Sequence, residues 1–381
     1  MSLPARETIG ANDLIIEKIE FIPIVMPLPK IFKGSNYFMS HRCTIITRVY
    51  TRCGIVGECY NGDEFEGQKA VLEILHKLSP VIIGLSAMEV ERCWEAMLGP
   101  TYNILGDRNA AIQAQACLDS AIWDAHGKAL GQPLYRIWGG YKTHLPVIAI
   151  AGYYGENRAL DDYADEMRQL RDAGLGGCKF KVGGRSPKED AQRVRAAFQA
   201  ADANFQICVD ANQGWTLQQA IEFGKEVADL DILWFEEPCR WYDDRRSMAV
   251  LRSTAGIRIT AGQSERSRAG CRDLMMEGAI DYCNFDASWG GGPTEWRRVA
   301  GMARCFSVTM AHHEEPQIAA HLLASISNSA CLEVFHPDRD PLFYELVENR
   351  NLFKDGMYEV PTGPGWGLKL AEKVINKYRL A

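Results

Sequence analysis

After Pro146 the chain reads as eight short apolar runs set between amphipathic stretches, and that alternation constrains the fold more than any other feature. The runs are VIAIAG (147 to 152), CKFKV (178 to 182), QICVD (206 to 210), ILWFE (232 to 236), IRITA (257 to 261), DYCNF (281 to 285), FSVTM (306 to 310) and ACLEV (330 to 334). Between them, segments such as LDDYADEMRQLRDA, KEDAQRVRAAFQA and LQQAIEFGKEVAD repeat apolar residues at three- and four-residue steps. Strands alternating with helices build a parallel sheet, and eight of them are expected to close into a barrel rather than an open sheet. With 381 residues, 47% hydrophobic and 24% charged, the chain has material for a large barrel and an accessory domain, and its composition excludes a disordered or collagen-like chain.

The part before the barrel has a different texture. From Leu14 to about Asn61, IIEKIEFIPIVMPL and CTIITRVYTRCGIVGECY read as strands of a small antiparallel meander, with KIFKGSNYFMSH as a mobile loop between them. EGQKAVLEILHKL, MEVERCWEAML and RNAAIQAQACLDSAIWDAHGKAL then carry helical periodicity, the last stopping before Gly131 and Pro133. The chain to about Leu134 is therefore α+β. The stretch from about Phe353, rich in Gly and Pro, has too little apolar pattern for a further domain.

Several function classes lose their support at this point. Lys and Arg number 42 against 49 Asp and Glu, a net charge of −7, and the charges are scattered, so no nucleic acid partner is expected. Twelve cysteines lie singly without a CxxC pair, which reads as reduced thiols in a cytoplasmic protein. No membrane partner is expected either, since no run reaches the roughly 18 apolar residues of a span and the N-terminus lacks a signal-peptide pattern. Dinucleotide, P-loop and serine-hydrolase signatures are all missing.

In a barrel of parallel strands the active site forms at the C-terminal strand ends, so the residues closing each run are the candidates. Run two closes on Lys179-Phe180-Lys181, run three on Asp210 and Asn212, and run four on Glu236-Glu237-Pro238. Gln263 and Glu265 follow run five, Asp286 run six and His312-His313-Glu314-Glu315 run seven, while Glu333 sits on run eight. Any one of these alone reads as a surface charge, a helix N-cap or a structural histidine. Polar residues closing so many successive strands point instead to one convergent site. Alternation sends Lys179 and Lys181 to the same face, into the barrel mouth, with Phe180 outward. Asp210, Glu236 and Glu265 offer three carboxylates from adjacent strands, hard oxygen ligands suited to Mg²⁺. HExxH is absent, so zinc is not indicated. Asp286 can fix the tautomer of a neighbouring imidazole and raise the basicity of its other nitrogen, and the pair reads as a general base.

Taken together, KFKVGG, VDANQGW, WFEEP, NFDASWGGGP, HHEEPQIAAHLLAS and the LE of ACLEV resemble the enolase superfamily, specifically its mandelate racemase subgroup, over nearly the whole chain. The resemblance implies an N-terminal α+β capping domain over a modified (β/α)₇β TIM-type barrel, with the C-terminal tail returning to the cap. On this sequence that gives a flexible tail at 1 to 13, the cap at 14 to 135, the barrel at 136 to 352 and the returning segment at 353 to 381. It implies Lys181 as one base, Lys179 as a contact to the substrate carboxylate, Asp286 and His313 as the second acid-base pair, and Glu333 as the group polarising the carboxylate. The spacing to His321 selects His313 over His312. One departure concerns the third metal ligand. Where the subgroup has Gly-Glu, this chain reads Ala261-Gly262-Gln263-Ser264-Glu265. Ungapped counting puts Gln263 at that position, while the charged Glu265 is expected to be the ligand, with Gln263 as a direct or outlying contact.

The chemistry so implied is Mg²⁺-dependent removal of the proton α to a carboxylate, since fixed positive groups stabilise the second negative charge of the enediolate. With a β-hydroxyl to expel, the product is a 2-keto-3-deoxy acid; with none, reprotonation from the opposite face gives racemisation or epimerisation. Candidate substrate contacts are Tyr37, beside Ser35, Asn36 and His41, then Asn61 with Asp63 and Glu64, Asn212, Gln263, and Trp241 with Arg240 and Tyr242. Their polarity suits a sugar acid. The expected protein is thus an acid sugar dehydratase, acting as a homo-oligomer on a small carboxylate. An α-hydroxy-acid racemase or epimerase is the alternative, and a non-catalytic barrel serving as a binding scaffold is the alternative from another class.

Overall fold

The computed structural model describes residues 14–62, 67–202 and 204–380. The expected tail at 1 to 13 and the candidates Asp63 and Glu64 lie outside the described residues.

Strands β1 (Ile16–Lys33), β2 (Phe38–Thr51) and β3 (Val56–Asn61) form an antiparallel sheet in the order β1-β2-β3. The expected meander is present, but the stretch expected as a loop between its strands is mostly strand. Phe32 pairs with Met39 and Lys33 with Phe38, which leaves only residues 34 to 37 as the turn. The reason lies across the chain: Phe32, Tyr37 and Met39 pack on Ile150, Tyr153 and Phe335 of the barrel, a contact that the local polar pattern does not reveal.

Helices α1 (Gln68–Ile82), α2 (Val90–Ala96), α3 (Arg108–Leu130) and α4 (Leu134–Ile137) follow. Helix α3 has the limits its periodicity predicts. Asp107 caps it by accepting from the Ala110 N–H at 3.0 Å, and Gly131 ends it with a left-handed φ of 62°. It is buried on nearly all sides because β3, α1 and, through Thr294, the barrel all pack on it, β3 so closely that a Cβ on Gly57 would collide with the Ala121 carbonyl.

The barrel follows as β4 (His144–Ala151), α5 (Leu160–Asp172), β5 (Gly177–Lys181), α6 (Pro187–Ala200), β6 (Gln206–Asp210), α7 (Leu217–Glu226), β7 (Phe235–Glu236) and α8 (Asp244–Ala255). It continues through β8 (Ile259–Ala261), α9 (Arg268–Met276), β9 (Tyr282–Cys283), α10 (Gly292–Ala303), β10 (Thr309–Met310), α11 (Pro316–Ala324) and β11 (Leu332–Phe335). All eight apolar runs contain a strand. Strands β4 to β10 pair in parallel sequence, β11 pairs with β4, and a bridge from Met310 to Ser329 closes the ring. The architecture is a (β/α)₇β barrel.

Strands β12 (Phe353–Lys354) and β13 (Met357–Glu359) and helix α12 (Glu372–Tyr378) end the described chain. Strand β13 lies antiparallel to the start of β4, and Leu380 N donates to Pro23 of β1 at 2.9 Å.

The alternation of the barrel strands positions the site. Cys178, Phe180, Ile207, Val209 and Phe235 face the helices in the main core. On the inner face Ile148, Cys208, Trp234 and Cys331 form a separate apolar plug. Cys208, Trp234 and Cys331 come two residues before Asp210, Glu236 and Glu333, so charged groups sit one layer above a dry floor. No described helix is long and apolar enough to cross a membrane.

Candidate active site

Register brings the charged strand ends together. Lys181 of β5 stands beside Asp210 of β6, and Asp210 beside Glu236 of β7. Lys179 Nζ donates to Glu236 Oε1 at 2.9 Å and Glu333 Oε2 at 2.8 Å, and lies 3.9 Å from Asp210 Oδ2. Lys181 Nζ donates to Asp210 Oδ2 at 2.7 Å and Asn212 Oδ1 at 3.0 Å. Lys179, Asp210, Glu236 and Glu333 have no exposed surface. Burial alone would lower both ammonium groups, yet their carboxylate neighbours hold them well above the ordinary lysine value. Glu333 Oε1 is buried without a partner, an acceptor left open within the site.

The opposite side is built by the chain after β9 and β10. His313 Nδ1 and Asp286 Oδ2 are 3.0 Å apart, and Asp286 Oδ1 accepts from Ser288 N at 2.7 Å. Glu314 Oε1 lies 3.2 Å from His313 Nε2. His312 faces elsewhere: its Nδ1 bonds the His313 carbonyl at 2.8 Å, and its Nε2 accepts from Ala287 N at 3.1 Å. It thereby supports the turn that carries Asp286. His321, buried, accepts from Tyr135 N and donates to the Trp366 carbonyl.

A cavity of about 550 Å³ opens above these groups, lined by Lys181, Asn212, Gln263, His313, Glu314, Trp289, Arg339 and residues 36 to 41 of the β1–β2 hairpin. Of the candidate substrate contacts, Tyr37, Asn212 and Gln263 lie on it, Tyr37 with its ring centre 5.6 Å from Lys181 Nζ. Asn61 does not. It is buried at the end of β3, where its amide donates to Ser120 and Ser288 and so joins the sheet to the turn after β9. Trp241 is 71% exposed on a 3₁₀ turn, paired with Tyr242 rather than with the cavity. Asp63 lies outside the described residues.

Glu265 departs from expectation. Strand β8 ends at Ala261 and the chain turns at once, with Gly262 at φ 142° and Glu265 N donating back to the Gly262 carbonyl. Alternation past Ala261 therefore does not hold, and the Glu265 carboxylate lies 2.6 Å from Arg245 Nη2 on α8, beside Gly270 of α9. Gln263 is the residue the turn delivers to the cluster. Its amide nitrogen donates to Glu237 Oε2 at 2.9 Å, and its oxygen faces Asn284 Nδ2, which also donates to Glu236 at 2.9 Å. Glu237, Asn284 and Glu314 are site residues to which sequence reasoning gave no role. Asn284 was within reach, being two residues before Asp286 on the same face.

The donor set fits a hard divalent cation. Asp210, Glu236, Glu237 and Glu333 outnumber Lys179 and Lys181. Burial, with Asp210 and Glu333 nearby, pushes Glu236 up to about 8 against the pull of Lys179, and burial raises Glu237. A dication relieves that surplus. Among the described residues no three His, Cys, Asp or Glu side chains form a metal-holding group. Two carboxylates, Asp210 and Glu236, with the Gln263 amide oxygen match the few protein ligands that Mg²⁺ takes beside its waters.

Comparison with known proteins agrees with this fold. The family described as Enolase C-terminal domain-like matches residues 162–374, and the Mandelate racemase / muconate lactonizing enzyme N-terminal domain matches residues 23–139. A solved mandelate racemase/muconate lactonizing enzyme is 49% identical, with a TM-score of 0.94 over 97% of this chain and 100% of that one. Another, from a marine actinobacterium in complex with magnesium, is 47% identical, with a TM-score of 0.91 over 97% and 100%. Arabinonate dehydratase of Saccharolobus solfataricus is 28% identical over 79% of this chain and 81% of its own. Other curated relatives, 25–27% identical, carry the names of acid sugar dehydratases, cycloisomerases and an N-succinyl-L-Arg/Lys racemase.

Proposed function

Because the chain belongs to the mandelate racemase/muconate lactonizing enzyme family of the enolase superfamily, we propose that it removes the proton α to a carboxylate and dehydrates an acid sugar to a 2-keto-3-deoxy acid. The observation that carries this reading is that Lys181, on β5, and His313, on the chain after β10, line the same cavity beside the buried Lys179–Glu333 pair. Lys179, held by Glu333, binds the substrate carboxylate; Lys181, neutral once a cation takes up the Asp210 charge that keeps it protonated, takes the α-proton; and His313, oriented by Asp286, gives a proton to the departing hydroxyl. Groups so placed are each worth about 10²- to 10⁴-fold in rate. Asp210, Glu236 and Gln263 would hold Mg²⁺. When bound, that ion supplies positive charge that acidifies the α-proton and stabilises the enediolate.

Asn36, Ser40, His41 and Asn212 on the cavity wall suit the hydroxyls of a sugar acid. Phe38, Met39 and Trp289 on the same wall support a second reading, racemisation of an α-substituted acid with an apolar part, by the same two residues and without a leaving group. The test is to offer the protein mono- and diacid sugars with Mg²⁺, following 2-keto acid formation and α-proton exchange in D₂O. Keto acid from at least one sugar acid is expected. Racemisation without keto acid would move the assignment to the second reading, and no exchange with any acid would contradict both.

A further inference from the structure

Loss of water from a sugar acid asks His313 to meet the substrate with a proton already on Nε2, and the chain after β10 is shaped for that. Neighbouring residues on an extended chain point to opposite faces. Glu314 breaks the rule because its backbone is left-handed, φ 50°, followed by Glu315 at φ 49°. Such angles are uncommon for residues with a Cβ and persist only where the surroundings enforce them. Here the Glu314 N–H is anchored on Glu333 Oε2 at 3.1 Å. The turn folds the Glu314 carboxylate back over the ring that precedes it, 3.2 Å from Nε2, while Asp286 occupies Nδ1 at 3.0 Å. An imidazole between two carboxylate oxygens satisfies both only by carrying both protons.

The other groups around the ring do not reverse this. Trp289 lies with its centre 5.0 Å from the ring. Lys179 opposes the imidazolium charge, whereas Glu236 and Glu237 favour it. Arg339 and Arg42 act on Glu314 and help keep it ionised. Burial works against the charge, yet Glu314 and Asp286 together hold His313 well above the ordinary histidine value, and Glu314 is held well below the usual carboxylate range.

We infer that Glu314 is a positioning residue that holds the Nε2 proton of His313 until a bound acid sugar replaces it, so that His313 enters the reaction as the acid and Lys181 as the base. The inference rests on the dehydratase reading and narrows its substrates to acids whose α-proton faces Lys181 and whose β-hydroxyl faces His313. In that step the α-proton passes to the free amine of Lys181, available once a cation takes up the charge of Asp210, and the electron pair of the broken C–H bond, held first in the enediolate, becomes the second bond between Cα and Cβ. The Cβ–O bond breaks with its pair on oxygen. The Nε2 proton completes the departing water, and the remaining enol rearranges to the 2-keto acid. His313 is left neutral and regains its proton from solvent. Racemisation asks for neutral His313 in one direction, which Glu314 opposes.

The test needs no substrate at its first stage. The full chain, labelled with ¹⁵N in its histidines and kept in Mg²⁺, is titrated by NMR, and His313→Asn assigns the signal. The wild-type ring is expected to stay doubly protonated past neutrality. Glu314→Gln, which keeps the shape and removes the charge, should lower its midpoint by about one to two pH units, and Glu314→Asp should restore part of the difference. With any acid found to be dehydrated, activity that needs protonated His313 is lost as pH rises through its midpoint. Glu314→Gln should therefore bring that loss to lower pH, with kcat affected more than KM. A wild-type midpoint near the ordinary histidine value, or one that Glu314→Gln leaves unmoved in a folded protein, overturns the inference. Should Glu314→Gln not fold, the wild-type midpoint and that of Glu314→Asp decide in its place. Should no acid be dehydrated, the function reading falls while the ring titration still answers for Glu314.

Discussion

At the floor of the cavity Lys179, Asp210, Glu236 and Glu333 are fully buried, Lys179 bonded to Glu236 and Glu333 and Asp210 to Lys181, whereas at the roof the tip of the β1–β2 hairpin rests on side-chain packing and one backbone bridge, Tyr154 N to Lys33 O at 2.9 Å, with Phe38 two-thirds exposed. On the floor, moving one charge strands another in a dry setting, a penalty of several kcal/mol. On the roof, the side-chain contacts are non-directional and a changed side chain loses only its own packing. On the function proposed, the difference would put chemistry in the barrel and selection among acids in the hairpin. A buried ion pair joins the two levels: Arg42 of β2 meets Glu315 at 3.2 Å and Asp340 at 3.1 Å.

The largest effect is expected where a floor charge is removed. Asp210→Asn, or a chelator with the wild type, should lower kcat/KM by about 10²- to 10³-fold or more, with Mg²⁺ restoring only the chelated wild type. Full activity without metal would end the distinction between floor and roof. Next comes the tie between levels. Arg42→Met leaves two buried carboxylates unpaired and should cost about 3–5 kcal/mol in urea unfolding; a loss under 1 kcal/mol would mean that the hairpin sits independently of the barrel.

A smaller effect separates the two residues at the turn after β8. Gln263→Ala should weaken Mg²⁺ binding about tenfold or more, as loss of a group holding or bordering a metal does, while Glu265→Gln should leave a calorimetric titration unchanged. The opposite ranking would return the ligand role to Glu265. The smallest change is expected at the roof. Phe38→Ala should shift KM by about threefold to tenfold, on the order of 1 kcal/mol, and differently for different acids, with kcat and Mg²⁺ affinity held. An equal effect on every acid would remove selectivity from the hairpin.

What the sequence made legible follows the same division. The strand ends were readable because period-two alternation and barrel topology together dictate which side chains enter the mouth, and Lys179, Lys181, Asp210, Glu236 and Glu333 all obey them. Helix α3 was readable from its cap at Asp107 and its stop at Gly131. Glu265 lies on Arg245 and not in the cluster where it was expected, because alternation was carried past Ala261, where the strand ends. Asn61 and Trp241 were misplaced for another reason: Ser288, which holds Asn61, is 227 residues away, and the exposure of Trp241 depends on a 3₁₀ turn that leaves β7 outward. The first contact, 227 residues long, has no local signature.

The central claim is that Lys181 and His313 perform separate steps from different sides of one bound acid. Deuterium exchange at the α-carbon, measured with a sugar acid found to be dehydrated, tests it most directly. For an acid whose α-proton faces Lys181, Lys181→Met should abolish exchange and keto acid alike, while His313→Asn should stop keto acid formation and leave exchange in D₂O measurable. Near-normal dehydration by both variants would contradict the account at its centre.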